Sequence, residues 1–150
     1  MNIAVFFGGR SCEHDISIIT GVQVLNALGD GYRVLPVYMK DGGFYTSDLM
    51  PDVGFFENPN LKKATRIWLI DGSFYTRKGM LLLKKETPDV ALICCHGGEG
   101  ENGVLQGFLE YNGVPYTSAG LIASSVCMDK SIAKQLLDGL MLNTMPSITV

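Results

Sequence analysis

The chain has 150 residues, of which 47% are hydrophobic and 18% are charged, the balance of one globular domain with a substantial core. A formal net charge of −3 argues against a surface that tracks the phosphates of a nucleic acid. Apolar runs stay shorter than the roughly 18 residues that cross a bilayer, and the N-terminus carries neither a basic stretch nor a cleavage site. We therefore expect a cytoplasmic protein with no signal peptide and with neither nucleic acid nor membrane as its partner.

The N-terminal part of the chain predicts a β-α-β unit. Asn2 to Phe7 is a short apolar run stopped by two glycines, which is typical of a buried strand. Residues 16–28 carry apolar side chains at helical spacing, and residues 32–38 form a second apolar run. Elements in this order favour two parallel strands joined by a right-handed crossover.

Residues 40–86 have a different pattern, and we expect them to form an antiparallel insertion that meanders at the edge of the sheet. Short apolar runs there are separated by turn residues rather than by helices. The predicted pieces are a turn at 40–43, a strand at 44–46, a loop at 47–63, a hairpin of 66–70 and 73–75, and a short apolar piece at 80–83.

The last third returns to alternating strands and helices. Its predicted pieces are a strand at 89–95, a helix at 103–111, an extended piece at 114–116, a helix at 129–140 and the start of a strand at 146–150. Asp129 is a plausible N-cap for the last helix, whose apolar residues recur at Ile132, Leu136 and Leu140. The predicted fold class is therefore α/β, a Rossmann-like open sheet, mainly parallel, flanked by helices and extended by the antiparallel edge insertion.

Two glycine-rich loops, at 7–15 and 95–103, each lie between a predicted strand and a predicted helix. Loops at the carboxyl ends of parallel strands form the ligand crevice of an open α/β sheet. Both loops carry acids and a histidine, which indicates a small substrate bearing a cation. Glu13 is suited to hold an ammonium and His96 to donate a hydrogen bond or carry a proton, although a solvated glutamate and a structural histidine remain alternatives.

The second loop also contains a literal G-x-G-x-x-G at Gly98, Gly100 and Gly103, so a dinucleotide site is an alternative. Glu99 and Glu101 argue against it, because they would repel a pyrophosphate.

The four cysteines form no C-x-x-C pair, so their spacing predicts neither a metal site nor a disulfide framework. Adjacent Cys94 and Cys95 are expected on opposite faces of a strand. Cys12 lies beside Arg10 and His14 in the first loop, which leaves a nucleophilic thiol as an alternative.

Three motifs, in order, resemble those of the D-alanine–D-alanine ligases. They are the pattern from Phe7 to Ser17, the pattern from His96 to Thr117, and Ser124 or Ser125 followed by Met128-Asp129-Lys130 and Lys134. The resemblance implies a pre-ATP-grasp domain at residues 1–119, followed at 120–150 by the first helix and strand of a truncated ATP-grasp region. It implies a ligase that uses ATP and magnesium to join two D-alanines through an acyl phosphate for peptidoglycan synthesis, and a homodimer formed through the N-terminal domain.

The same resemblance implies roles for single residues. Glu13 matches the glutamate that binds the ammonium of the first D-alanine, and His96, Ile16 and Gly97 match residues that line its pocket. Glu13 and His96 are the expected catalytic residues, and Lys130 is expected to reach an ATP phosphate. The magnesium ligands and most of the nucleotide pocket lie beyond residue 150 in the family, so we expect no metal ligand here and no ligase activity of the chain alone. A binding or assembly module without chemistry is the alternative.

One position departs from the family pattern. Asn102 stands where the family usually has aspartate, and we expect the change to affect hydrogen bonding within the loop more than the chemistry.

Overall fold

A computed structural model describes residues 1–57 and 61–148. The strands are β1 (Asn2–Gly8), β2 (Arg33–Lys40), β3 (Gly43–Thr46), β4 (Thr65–Ile70), β5 (Ser73–Lys78), β6 (Leu81–Glu86) and β7 (Val90–Ile93). The α-helices are α1 (His14–Leu28), α2 (Val104–Tyr111), α3 (Leu121–Met128) and α4 (Lys130–Gly139). Short 3₁₀ turns lie at Gly29–Gly31, Val53–Phe56, Leu61–Lys63 and Gly98–Gly100.

The strands form one open sheet in the order β6-β5-β4-β3-β2-β1-β7. β1 pairs in parallel with β2 and with β7, whereas β2 through β6 pair antiparallel in chain order. The α/β class and the antiparallel edge insertion are confirmed. The sheet is mixed rather than mainly parallel, because two of the strand pairs are parallel and four are antiparallel.

Two tight turns explain why the insertion folds back on itself. Asp41 and Gly42 have φ angles of 49° and 73°, and Asp71 and Gly72 have 47° and 72°. Two successive positive φ angles define the type I′ turn, whose twist matches that of a hairpin, and Asp-Gly is a preferred pair for it.

β1 is the centre of the core and is buried on both faces. Its odd-numbered residues between 3 and 7 pack under α1, while Ala4 and Phe6 pack with the residues of α2 on the other face. Helix α1 lies close to the sheet because Gly21 has no side chain. A Cβ at this position would overlap the Phe7 ring. The ends of β1 and of its neighbour β7 are therefore held rigidly beside each other.

The last thirty residues differ from the expectation in two ways. Helix α3 was not predicted, because its eight residues are apolar or small on all sides and give no clear period. The strand predicted at 146–150 is wrong for Pro146 to Ile148, which pair with no neighbour, and the rest of it lies outside the described residues. Helix α4 is confirmed, and the side chain of Asp129 accepts from the backbone N–H groups of Ser131 and Ile132.

No helix of the described residues is long and apolar enough to cross a membrane.

Candidate functional site

The two glycine-rich loops meet because β1 and β7 are parallel neighbours in the sheet. Ser11 joins them through its side chain. Its hydroxyl donates to the backbone oxygen of His96 at 2.5 Å and accepts from the backbone N–H of Glu13 at 3.1 Å. One hydroxyl thus links the backbones of the two predicted site residues, Glu13 and His96.

Two further contacts lock the strand ends behind Ser11. The buried hydroxyl of Ser17 accepts from the N–H of Gly8 at 2.8 Å and donates to the oxygen of Cys94 at 3.1 Å. The backbone N–H of Arg10 donates to Glu99 Oε1 at 2.9 Å. The loops are therefore a braced pair rather than two independent surface turns.

Glu13 immediately precedes α1, and its carboxylate lies against the backbone of Gly97. A Cβ at Gly97 would come within 2.6 Å of Glu13 Oε2, and the φ angle of 65° at Gly97 also favours glycine. The exposed Glu13 carboxylate makes no hydrogen bond or ion pair with a described residue. It is therefore an anion available to a cationic ligand.

His96 is half-buried and is held at two points. Its backbone oxygen accepts from Ser11, and its ring Nε2 lies 2.9 Å from the hydroxyl oxygen of Thr20 on α1. Ring atom Nδ1 has no hydrogen-bond partner among the described residues. His96 therefore keeps one ring nitrogen unpaired among the described residues, and it is the neighbour in sequence of Gly97, against which the Glu13 carboxylate lies.

The remaining predicted site residues are placed unequally. Ile16 is 53% exposed in the first turn of α1, and Gly97 is buried between Glu13 and Ser11. Lys130 is exposed at the start of α4 and bonds to no described residue, so the structure does not join it to the two loops. The site is open, and a nearby cleft of about 360 Å³ lined by Arg10, Glu99 and Phe44 includes neither Glu13 nor His96.

Three residues that hold the two loops in place were not identified from the sequence: Tyr38, Gln106 and Thr20. His14 Nδ1 lies 2.6 Å from the oxygen of Gly9, and its Nε2 lies 3.1 Å from the Tyr38 hydroxyl. Burial, with smaller contributions from Asp41 and Asp15, raises the pKa of Tyr38 to about 12. Only the tertiary fold brings Tyr38 of β2 to the first loop, so no local pattern signals the contact.

Gln106 supports the second loop from α2. It is 1% exposed, and its Nε2 donates to the oxygen of Gly100 at 2.8 Å and to the hydroxyl of Ser118 at 3.2 Å. A polar residue on the apolar side of a predicted helix was the available signal. The third residue that the sequence did not reveal is Thr20, which contacts the His96 ring. Its position four residues after Ile16 indicates only that the two residues share a face of α1.

The dinucleotide alternative does not suit this geometry. Asn102 Oδ1 accepts from the N–H of Val104, so the first donor of α2 is already occupied. Glu99 and Glu101 lie in the same loop, where an anion would need donors. An aspartate in place of Asn102 would accept the same bond, so this contact does not depend on the departure from the family pattern.

The cysteines are free thiols. Cys94 and Cys95 are buried in different core clusters on opposite sheet faces, as expected, and burial raises the pKa of their thiols to about 11 and about 12. Cys12 is exposed in the first loop. Within the described residues, no group of three or more His, Cys, Asp or Glu side chains could hold a metal ion.

Fold and site together define an α/β domain in which two linked loops at the ends of parallel strands present a carboxylate that pairs with no described residue. Comparison with known proteins gives the family. Residues 2–119 match the family model described as the N-terminus of D-ala D-ala ligase. The chain belongs to this family.

A curated relative and two solved structures agree with this assignment. The chain is 39% identical over 145 residues to the D-alanine–D-alanine ligase of Thermosipho melanesiensis, an alignment covering 91% of this chain and 39% of that ligase. It superposes on the ligase of Helicobacter pylori with a TM-score of 0.85 at 25% identity, covering 97% of this chain and 46% of the other. A D-Ala:D-Ser ligase from Enterococcus faecalis gives a TM-score of 0.74 at 25% identity, covering 91% and 41%. The chain spans about two-fifths of the length of the curated relatives that it matches.

Proposed function

We propose that this chain is the D-alanine-binding part of a cytoplasmic, ATP-dependent ligase that joins two D-alanines for peptidoglycan synthesis. The family membership supports the reaction class. The observation that carries the site is the Glu13 carboxylate, which lies against Gly97, pairs with no described residue, and belongs to a loop that Ser11 links to the backbone of His96.

Each site residue has a role that its surroundings support. Glu13 binds the ammonium of the first D-alanine by a charge-assisted hydrogen bond. His96 faces the same ligand with its free ring nitrogen, and Gly97 leaves room for the carboxylate of Glu13. Ile16, which is exposed one turn further along α1, supplies an apolar contact for the methyl group. Orienting the amino acid in this way reduces the entropy that the joining reaction must overcome.

Among the described residues we assign one ligand, Lys130, to ATP and none to magnesium. No cluster of acids there could bind the metal, and Lys130 alone offers a free cation at the start of α4 for a phosphate. ATP supplies the phosphoryl group that activates the carboxylate, and in the complete ligase we place its binding outside residues 1–119. Those residues form the substrate domain, and residues 120–150 begin the nucleotide-binding region.

The E. faecalis neighbour that acts on D-serine shares this fold, so the proposal concerns the first amino acid and leaves the choice of the second to the remainder of the ligase.

A binding experiment tests the substrate role in this chain. Titration of the ¹⁵N-labelled protein with D-alanine is expected to shift the amide signals of Glu13, His96 and Gly97. D-lactate is the matched control, because it keeps the carboxylate and the methyl group and lacks the ammonium. Equal shifts with D-lactate would show that Glu13 does not recognise an ammonium, and no shift with D-alanine would reject the proposal.

A pair of glycine variants tests the placement of the site. Gly97→Ala is expected to abolish the D-alanine shifts, because the new methyl group displaces the Glu13 carboxylate. Gly113→Ala is the matched control, since its φ angle of 67° is similar and open space surrounds it. If both variants bind D-alanine like the wild type, the carboxylate beside Gly97 is not the binding group.

A separate assay tests the division of labour. Incubated with ATP, magnesium and D-alanine, the 150-residue chain is expected to release no phosphate above a buffer blank. Release dependent on D-alanine would show that these residues hold the nucleotide after all.

A further inference from the structure

Thr20 and His96 form a contact that neither residue's local sequence requires. A threonine within a helix commonly turns its hydroxyl back to the backbone oxygen four residues earlier. Thr20 instead places its hydroxyl oxygen 2.9 Å from His96 Nε2, and the hydroxyl bonds to no other described residue. Both residues are half-buried, so the contact is partly sheltered from water.

The hydrogen in this contact has two possible positions. If His96 Nε2–H donates, the hydroxyl hydrogen of Thr20 is left without an acceptor, and Nδ1 faces outward as a bare lone pair. If the hydroxyl donates to Nε2, Nδ1 carries the remaining hydrogen, and this N–H is the one group left without a partner among the described residues, against two in the first arrangement. An unmade hydrogen bond in a sheltered place is costly, which favours the second arrangement.

The chemistry of the crevice favours the same arrangement. Glu13 already supplies the anion for a substrate ammonium, and Glu101 adds negative charge on the second loop. A bound amino acid also carries a carboxylate, which needs a donor. A lone pair at His96 Nδ1 would repel that carboxylate, whereas an N–H would bind it.

We propose that Thr20 is a positioning residue: its hydroxyl donates to Nε2, holds neutral His96 as the Nδ1–H tautomer, and so presents one N–H to the substrate carboxylate. This inference rests on the proposed function for the identity of the ligand, and on Thr20 and His96 alone for the tautomer.

The other histidine of the chain, His14, serves as an internal reference for the measurement. His14 Nδ1 lies 2.6 Å from the oxygen of Gly9, and a backbone oxygen only accepts, so His14 is also an Nδ1–H tautomer. Its partner is backbone, which no change at Thr20 removes. The two ring signals therefore separate an effect on His96 from a general change in the protein.

The tautomers are read from long-range ¹H–¹⁵N correlations of the two rings, at about pH 8.5, above the ordinary pKa of imidazole. In the wild type and in Thr20→Ser we expect Nδ1–H at both histidines. In Thr20→Val, which keeps the shape and loses the hydroxyl, we expect His96 to change to Nε2–H, the form favoured by free imidazole in water, while His14 stays the same. An Nε2–H ring at His96 in the wild type overturns the inference, and so does an unchanged His96 in Thr20→Val. The wild-type spectrum decides the tautomer even if the valine variant does not fold.

A second measurement addresses the carboxylate. D-alanine is expected to shift the His96 Nδ1–H signal, whereas D-alaninamide, which keeps the ammonium and lacks the carboxylate, is expected to shift Glu13 alone. Thr20→Val is expected to weaken D-alanine binding about tenfold and Thr20→Ser less than twofold. An equal His96 response to both ligands overturns the contact with the carboxylate. If D-alanine binds to no form of the chain, both the contact with the carboxylate and the proposed function are rejected. The role of Thr20 in setting the His96 tautomer is then decided by the ring spectra alone.

Discussion

Helices α1 and α4 carry the same kind of apolar spacing and lie in opposite surroundings. The apolar residues of α1 are 6%, 8% and 7% exposed at Ile18, Val22 and Leu25. Those of α4 are 51%, 54% and 61% exposed at Ile132, Leu136 and Leu140. Periodicity predicts that a helix forms and which side is apolar. Whether that side is covered depends on the neighbouring layer, which the sheet supplies for α1 and which no described residue supplies for α4.

The comparison extends to function, because each helix starts beside a candidate site residue. Glu13 precedes α1, and the sheet under α1 places it against the second loop. Lys130 begins α4, and it is exposed with no bonded partner among the described residues. Packing of α1 on the sheet thus gives Glu13 a defined position. Lys130 would gain a defined position only if a further layer packed against α4.

The largest expected effect is on stability. Leu25→Ala should lower the free energy of unfolding by about 2–5 kcal/mol, since it opens a cavity between α1 and the sheet. Leu136→Ala, the same change on α4, should alter it by less than about 0.5 kcal/mol. Urea unfolding at one protein concentration measures both. A loss above about 2 kcal/mol for Leu136→Ala would show that the stripe of α4 is covered, and the comparison would break.

A second pair of variants compares the two helix starts in a working enzyme. The test protein is a chimera in which this chain replaces the matching part of the T. melanesiensis ligase. Glu13→Gln should lower kcat/KM for the first D-alanine by about thirtyfold or more, because the substrate ammonium loses its charged partner, and should leave KM for ATP unchanged. Lys130→Gln should raise KM for ATP and leave that for D-alanine unchanged. Effects of both variants on the same substrate would contradict the separate roles.

Much of this comparison was open to prediction from the sequence, and the reasons for the rest are physical. β1 and α1 follow from local patterns, and Glu13 with His96 followed from loops at the ends of neighbouring parallel strands. Thr20 could not be found in this way, because its role depends on a ring 76 residues away in the chain. The strand predicted at 146–150 shows the same limit, since a strand exists only where another strand pairs with it.

A test of self-association compares the N-terminal domain with the C-terminal helices α3 and α4. We propose a homodimer formed through the N-terminal domain, where β6 is an edge strand with Leu81, Leu82 and Leu83 exposed by 68%, 52% and 43%. Light scattering is expected to give a dimer both for the whole chain and for a chain ending at Gly120. A dimer lost on truncation would assign the contact to the apolar residues of α3 and α4. A monomeric whole chain at tens of micromolar, a typical range for such measurements, would reject self-association.

The smallest expected effect is a loss of stability at alkaline pH. Burial raises the pKa of Cys94 to about 11 and that of Cys95 to about 12, above the usual 9.0. Below about pH 9 both thiols are protonated in the folded and the unfolded chain, so they add no pH dependence. As the pH rises from 9 toward the folded values, the unfolded chain releases protons that the folded chain keeps, and stability falls.

The loss at about pH 10 should be of the order of 1 kcal/mol for each buried thiol, seen as a lower urea midpoint than at about pH 8. Cys95→Ala should reduce this difference between the two pH values, since it removes one of the two titrating groups. Cys127→Ala is the matched control from the exposed α3 and should leave the difference unchanged. An equal reduction by both variants would mean that α3 also buries its thiol, so that the contrast between the sheet and the C-terminal helices would not hold for their cysteines.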